Sequence, residues 1–418
     1  MRNPLSRAFR ALQNFNFRLW TAGGLVSNTG TWMQRVAQDW IVLTQLTHHD
    51  ATAVGIVTGL QFAPQLLLLP WSGLAADRFN QRKLLMLTQA SMGVLATALG
   101  VLTILGYVRL WHVYVFAFVF GAAAALDAPV RQTFVGELVG DEHLPNAIAL
   151  NSTSFFAGQM IGPALAGLVI ARIGTGWAFL LNGLSFGAVL LSMSRLRIQE
   201  LSTNARASRA SGGFIEGFRY VWARPDLRSI VVMLFLIGTF GFNFPIFVAT
   251  MAVNVFHADA RGFGLLSSIM AIGTISGALL SAGRDKPHFG SLLLGAGVFG
   301  IGCTLAAFSP GYWWFAAALA VIGVAALTFT NATNSMMQLS TKPSMRGRVM
   351  AIRVGVALGG TSMGAPIVGW VANHFGPRWS LGTGAVSAFL AALVAALMLA
   401  KPAAAILAPT SSRYEAER

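Results

Sequence analysis

Two pairs of opposite charges stand one helical turn apart within apolar stretches of the sequence. Arg35 and Asp39 form the first pair, and Asp127 and Arg131 form the second. Side chains at i and i+4 share a helix face, so each pair can meet. Ionisable residues inside a membrane span are functional candidates by default. We therefore interpret both pairs as candidate proton-coupling groups, with structural or gating ion pairs as the alternative. Asp39 would carry the proton, and Arg35 would set its proton affinity.

Polar residues continue along the helix that holds the first pair. Asn28, Thr31, Arg35 and Gln38 repeat at spacings of three and four residues, with Asp39 at the edge of the stripe. A polar face on an otherwise apolar helix predicts contact with a water-filled cavity.

The composition shows what surrounds these helices. The chain has 418 residues, of which 55% are hydrophobic and 10% charged, whereas a soluble domain is about a quarter charged. A spanning helix needs about 20 mostly apolar residues. The sequence therefore predicts an all-α polytopic membrane protein with twelve transmembrane helices. We place them at 17–46, 53–76, 83–106, 110–130, 146–171, 175–195, 228–256, 261–283, 289–308, 311–339, 348–373 and 379–400.

The basic residues predict the orientation of these spans. Of the 29 Lys and Arg residues, four lie in odd-numbered loops, namely Arg109, Arg172, Arg261 and Arg378. Nearly all the others lie in the termini, in even-numbered loops or at the adjoining span ends, so both termini are expected to be cytoplasmic. The basic residues form short clusters rather than a domain, so no nucleic-acid partner is expected. The basic N-terminus has no short apolar core followed by a small-residue cleavage site, so no cleaved signal peptide is expected.

The longest hydrophilic segment, 196–227, divides the chain. We expect an N-terminal six-helix half at 1–195, a C-terminal six-helix half at 228–400 and a cytoplasmic tail at 401–418. Within the cytoplasmic linker, "STNARASRASGG" is typical of a flexible segment, and "FIEGFRYVWARPDLR" predicts an amphipathic helix on the inner leaflet.

Similar sequence recurs at an offset of 202 residues. The matching pairs are Gly162 and Gly364, Gly167 and Gly369, Gly174 and Gly376, Trp177 and Trp379, and Ser185 and Ser387. Both copies run in the same direction, which predicts two parallel halves related by an axis along the membrane normal. This architecture favours a binding site between the halves and transport by a rocking of one half on the other.

The loop between spans 2 and 3 resembles the signature loop of the major facilitator superfamily. The matching residues are Gly73, Asp77, Arg78, Arg82 and Lys83. Asn80 replaces the usual second Gly, and Gln81 replaces a basic residue. The resemblance implies a cytoplasmic latch, in which Asp77 would pair with a basic group or a helix end. A tight, solvated, charged turn spanning 77–83 is the alternative.

Span 5 carries a second resemblance, to the pattern G-x-x-x-G-P-x-x-G-G of the superfamily's proton-linked exporters. Gly158, Gly162, Pro163 and Gly167 match it, and Ala166 replaces one Gly. Generic close packing of helices is the alternative. The span 4 Arg that is frequent in drug exporters is absent, since Ala117 occupies that position. The segments "LDAPVRQTFVGEL", "SNTGTWMQRVAQDWIVL" and "RGRVMAIRVG" resemble the branch of enterobactin exporters and macrolide-efflux-like proteins.

The resemblance implies that spans 1, 4, 7 and 10 line the cavity. The candidate lining residues are Asn28, Thr31, Gln38, Asn243, Asn331, Asn334 and Arg353. Arg353, one turn into span 11, would attract an anionic substrate or else belong to the basic inner belt.

These observations predict a secondary active transporter of the inner membrane that exports an amphipathic, siderophore-like or drug-like molecule in exchange for protons. An importer or symporter of the same fold and a non-transporting sensor are the alternatives. The expected partners are the lipid bilayer, a small-molecule substrate and protons, with an outer-membrane efflux partner left open. No P-loop or H-E-x-x-H motif occurs, so no enzymatic activity, cofactor or metal is expected.

Overall fold

A computed structural model describes residues 9–201, 214–282 and 289–407 of the chain. Within them, ten helices are long and apolar enough to cross a membrane, and spans 1 and 2 bring the total to twelve. The first six spans are Phe15–Ile41, Ala51–Leu67 with Leu69–Arg78, Gln81–Ile104, Leu110–Gly140, His143–Ile173 and Thr175–Ser194. The last six are Pro225–Phe240 with Phe244–Thr250, Ala260–Ala282, Phe289–Ala307, Tyr312–Leu339, Arg346–Phe375 and Pro377–Leu407.

Spans 2 and 7 are each broken into two helices. Span 2 is interrupted at Leu68, between Pro64 and Pro70, because proline removes a helical hydrogen bond. Span 7 breaks after Phe240, and Asn243 Nδ2 donates to the carbonyl oxygen of Thr239 at 2.7 Å. The break therefore leaves this carbonyl with a partner.

The predicted loop between spans 4 and 5 is almost absent. The two helices are separated by a kink at Gly140, whose φ of 68° lies in the left-handed region. Phe134, Val135 and Leu138 are buried, so the apolar helical pattern of span 4 continues past 130 and keeps the chain helical. Spans 4 and 5 are therefore longer than predicted.

The turn between spans 2 and 3 is also shorter than the predicted 77–83. Helix Leu69–Arg78 includes Asp77, and span 3 begins at Gln81, so that only Phe79 and Asn80 are non-helical. The Asn80 side chain accepts a hydrogen bond from the backbone N–H of Lys83 at 3.0 Å, which is a helix N-cap. Asn80 therefore has a structural role at the start of span 3.

The 202-residue repeat has a structural counterpart. Gly174 and Gly376 both end helices in the left-handed region, with φ of 96° and 100°, a conformation that only glycine adopts readily. A Cβ on Gly167 would lie 2.6 Å from the carbonyl oxygen of Ala260, and one on Gly369 would lie 2.5 Å from that of Ala51. The repeated glycines therefore occupy equivalent positions in the two halves.

These contacts join the two halves at one end of the bundle, which we call the loop face because it carries the turn at 47–50. Span 5 meets span 8 there, and span 11 meets span 2. His49 Nδ1 lies 3.0 Å from Asn254 Oδ1, and Trp40 stacks on Phe263 with ring centroids 6.1 Å apart. The halves are thus closed against each other at the loop face.

The amphipathic helix predicted in the linker is present at Phe214–Ala223. Glu216 pairs with Arg348 of span 11 at 3.0 Å, and Val221 is buried. Phe218 and Trp222 are exposed and stack with ring centroids 5.0 Å apart, so the predicted apolar face is divided between the protein and its surroundings. The predicted flexible segment "STNARASRASGG" lies outside the described residues.

Cys303 of span 9 is the one cysteine of the chain. It is fully buried, next to Gly384 of span 12 and the ring of Phe247. It behaves as a small apolar residue of the second half.

Candidate functional site

A cavity of about 360 Å³ lies between the two halves. The first half contributes Trp32, Arg35, Val36, Asp39, Thr58, Gln61, Phe62, Gln159 and Pro163. The second half contributes Phe242, Phe244, Pro245, Val248, Phe263, Ser267, Met270, Ala271, Thr274, Ala326, Leu327, Thr330 and Thr361. Spans 1, 2, 5, 7, 8, 10 and 11 supply these residues, whereas span 4, which the resemblance implied, supplies none of them. The volume of the cavity suits a small organic molecule.

Arg35 and Asp39 both line the cavity, but they do not form the ion pair that their spacing predicted. The Cζ atom of Arg35 lies 4.7 Å from the ring centroid of Trp32, and its Nε is buried without a hydrogen-bond partner among the described residues. The side chain leans back one turn, as helical side chains do, and a cation–π contact holds it there. The prediction that the two side chains meet is therefore wrong for this conformation.

Asp39 is 8% exposed, and its carboxylate makes no hydrogen bond or ion pair to the described residues. A buried carboxylate without a partner is unfavourable unless it is neutralised or bound. The role of Asp39 in proton coupling stays a prediction.

Gln159 belongs to the cavity lining and was not predicted from the sequence. Its Oε1 atom is buried and lacks a hydrogen-bond partner among the described residues. It lies inside the glycine pattern of span 5, one residue after Gly158. The sequence signal for Gln159 is a single polar side chain among small residues that otherwise indicate close helix packing.

The seven predicted lining residues lie outside the lining of this cavity. They are Asn28, Thr31, Gln38, Asn243, Asn331, Asn334 and Arg353. Asn28 donates to Ser154 Oγ at 3.5 Å, which links spans 1 and 5. Arg353 donates to the carbonyl oxygen of Thr330 at 3.0 Å. Their part in substrate contact stays a prediction.

Both carboxylate oxygens of Asp127 accept hydrogen bonds. Its Oδ1 accepts from Thr88 at 2.8 Å and from Gln89 at 2.7 Å, and its Oδ2 accepts from Arg131 at 2.9 Å. The Arg131 guanidinium in turn lies 5.3 Å from the ring centroid of Trp20. The second charge pair therefore forms as predicted and joins spans 1, 3 and 4, away from the cavity.

The latch residues are placed only in part. The side chain of Asp77 and the surroundings of Gly73 lie outside what the structure describes, and Arg78 and Lys83 are exposed. Arg82 donates from Nε and Nη2 to the carbonyl oxygen of Met193, at 3.0 and 2.9 Å. It therefore caps the end of span 6 within the same half, and the latch role stays a prediction.

The exporter-like pattern of span 5 faces two neighbours. Gly158 and Gly162 pack on span 1, where a Cβ would meet Asn28 or Trp32. Pro163 and Gly167 pack on Gly264 of span 8. One motif thus closes a contact within the first half and a contact between the halves.

Twelve spans in two related halves around a central cavity define a membrane transporter of the major facilitator superfamily. The chain matches the family described as transmembrane secretion effector over residues 6–417, and it belongs to that family. The fold class, and the identification of a transporter rather than an enzyme, are confirmed.

Curated relatives include exporters and a siderophore transporter. The chain is 27% identical to the staphyloferrin A transporter of Staphylococcus aureus, over 60% of its own length and 63% of that protein's, so this alignment spans less than two thirds of that relative. It is 25% identical to the multidrug efflux pump Tap of Mycolicibacterium fortuitum, over 84% and 88% of the two chains. It is 23% identical to the enterobactin exporter EntS of Citrobacter koseri, over 86% and 85%.

Solved structures share the fold. A bacterial homologue of the human lysosomal transporter Spinster, in an inward-facing and unoccupied conformation, superposes with a TM-score of 0.68 at 17% identity. The match covers 93% of this chain and 95% of that one.

Proposed function

We propose that the protein is a proton-coupled exporter of an amphipathic small molecule, of the siderophore-like or drug-like class, in the inner membrane. The observation that carries the proposal is the carboxylate of Asp39, which lies without a partner in a cavity between the two halves. Export is supported by two of the relatives, which are a multidrug efflux pump and an enterobactin exporter. The basic terminal regions support cytoplasmic termini.

The mechanism follows from the two-half architecture. The N-terminal half, 1–195, rocks against the C-terminal half, 228–400, and the linker joins them. The loop face is closed in this structure, so the described state does not open the cavity to the outside. Opening of the loop face exposes Asp39 to the proton-rich side, where it takes up a proton after the substrate leaves. Reclosure returns that proton to the cytoplasm.

Inside-out vesicles that build a respiration-driven pH gradient test the proposal. Adding a catecholate siderophore or a macrolide should release protons from the lumen, because the substrate moves inward as protons move out. A pH-sensitive dye reports the release, and vesicles without the protein are the control. Absence of release with both compounds contradicts proton-coupled export of these classes and makes the importer and sensor alternatives the ones to test.

Closure of the loop face depends on glycine where spans 5 and 8 touch. Changing Gly167 to Val places new atoms against the backbone of Ala260, and overpacking of this kind costs about 1–3 kcal/mol. We expect the equilibrium to shift by about tenfold towards a loop face that is open. A Val36→Cys reporter in the cavity lining should then react about ten times faster with an impermeant maleimide added to intact cells.

Gly187→Val is the matched control, because nothing lies within 4 Å of a Cβ at this exposed position of span 6. An equal labelling rate in Gly167→Val and Gly187→Val would show that this contact does not govern closure.

A further inference from the structure

Two opposite charges share one wall of the cavity without forming a hydrogen-bonded ion pair among the described residues. Arg35 is held against Trp32, and Asp39 makes no ion pair among the described residues. They are the charged members of the lining. Removing an isolated charge from water is costly, so a ligand that supplies both missing partners gains strongly from binding here.

The complement of this wall is a dipolar head group. Side chains one helical turn apart have Cβ atoms about 5–6 Å apart, which is close enough for neighbouring groups of one small molecule to reach both. A carboxylate or other planar anion matches the guanidinium of Arg35. An ammonium or another N–H or O–H donor next to it matches the carboxylate of Asp39.

Span 5 adds an acceptor to the same region. Gly162 packs against Trp32, and Gln159 lies one turn before Gly162. The Arg35 guanidinium leans back along the span 1 axis to the height of Trp32. It therefore lies at about the same depth in the bundle as Gln159. The unpartnered Oε1 of Gln159 calls for a further N–H or O–H donor on the ligand.

The remaining lining defines the body of the ligand. Phe242, Phe244, Phe263, Met270 and Val248 supply a large apolar surface from the second half. The same half also supplies hydroxyls, each with a local backbone partner, such as Thr274 to the carbonyl oxygen of Met270 at 3.0 Å. The charged groups therefore lie on the span 1 side of the cavity, and the opposite side is uncharged and largely apolar.

We propose that the cavity selects compounds with an apolar body and a dipolar head group, whose anion binds Arg35 and whose adjacent ammonium or hydrogen-bond donor binds Asp39. The inference rests on the proposal that this cavity is the transport site. It also accounts for exchange, because a proton on Asp39 occupies the group that the substrate's donor needs. Proton and substrate then exclude each other at one carboxylate.

Three matched probes test the head group. 4-Phenylphenylalanine carries both charges, its carboxamide lacks the anion, and its N-acetyl derivative lacks the cation. Equilibrium dialysis against the purified full chain in lipid nanodiscs gives the three dissociation constants, and empty nanodiscs correct for partition into lipid. We expect the dipolar compound to bind about 10- to 100-fold more tightly than either relative, as charge-assisted hydrogen bonds contribute.

The variants assign each preference to a residue. Arg35→Gln should reduce the preference over the carboxamide to about one, and Arg35→Lys should retain part of it. Asp39→Asn should reduce the preference over the N-acetyl compound. Arg224→Gln is the comparison variant, because Arg224 already pairs with Asp226 and lies outside the lining. It should retain both preferences.

The proposal is overturned if the wild type does not bind the dipolar compound more tightly than both relatives. It is also overturned if Arg35→Gln, eluting as a monodisperse protein, keeps the wild-type preference, or if Arg224→Gln loses it. Binding is measured without a gradient. Selective binding without proton release in vesicles would therefore leave this inference in place and contradict the exporter proposal, and the converse result would do the reverse.

Discussion

Asp39→Asn is expected to abolish substrate-driven proton release in inside-out vesicles, to the level of vesicles that lack the protein. The amide has nearly the shape of the carboxylate but cannot take up a proton in this pH range. Substrate exchange without a gradient should persist, because rocking of the halves does not require the proton. Its half-saturating substrate concentration should rise, since a neutral amide is a weaker partner for the substrate's donor.

The role of Asp39 is tested by comparing proton release with substrate exchange: the variant should lose the first and keep the second. Loss of both proton release and exchange would indicate that the variant is misfolded or cannot rock. Persistence of proton release would move the proton carrier to another group, and Asp127 would be the first to examine. Wild-type protein at matched abundance in the same vesicles sets the scale for both measurements.

Asp127→Ala is expected to destabilise the first half strongly. The substitution leaves Arg131, Thr88 and Gln89 without the acceptor that now binds all three. Breaking a buried ion pair in this way costs about 3–5 kcal/mol, which corresponds to a fall in unfolding temperature of roughly 10 °C. Thermal unfolding of the purified protein in detergent measures it.

Glu200→Ala provides the matched control. Glu200 pairs with Arg197 at 3.1 Å, but the two side chains are 46% and 59% exposed. An exposed pair contributes about 0–1 kcal/mol, so the unfolding temperature should barely change. Equal effects of the two substitutions would contradict the structural role of Asp127. If the Asp127→Ala protein is stable but no longer couples protons to substrate transport, Asp127 would again be a candidate proton carrier.

The two charge pairs show what sequence spacing can decide. Both have the same i,i+4 separation, yet only Asp127 and Arg131 meet. Arg35 has Trp32 three residues before it, and the aromatic ring competes with Asp39 for the guanidinium. Spacing permits a contact, and the surrounding packing determines which permitted contact forms.

The polar residues of the spans illustrate the same limit. The polar stripe on span 1 includes Arg35, which lines the cavity with Asp39. Other predicted polar residues do not: Asn28 hydrogen-bonds to Ser154 of span 5, and Asn243 donates to a carbonyl oxygen at the break in span 7. Polar side chains inside a membrane join helices as well as line cavities. Thr88 and Gln89, which donate hydrogen bonds to Asp127, lie on span 3. Which residues of span 3 face Asp127 on span 4 depends on how the two helices pack.

The architecture was predictable because it depends on sequence features that extend over whole helices rather than on single side-chain contacts. Twelve apolar stretches, the hydrophilic segment at 196–227 and glycines repeated at 202 residues are visible without knowledge of any contact. The breaks in spans 2 and 7 were harder to place, because Pro64, Pro70 and Pro245 mark weak points without saying where a helix will end.

The sealed position of Cys303 gives the protein an unusual chemical robustness. Its single sulfhydryl is enclosed by packed side chains, so thiol reagents in the surrounding solution cannot reach it in this conformation. Thiol-specific alkylation should therefore leave the protein in this conformation unmodified, and a reporter cysteine placed in the cavity can be labelled without removing Cys303.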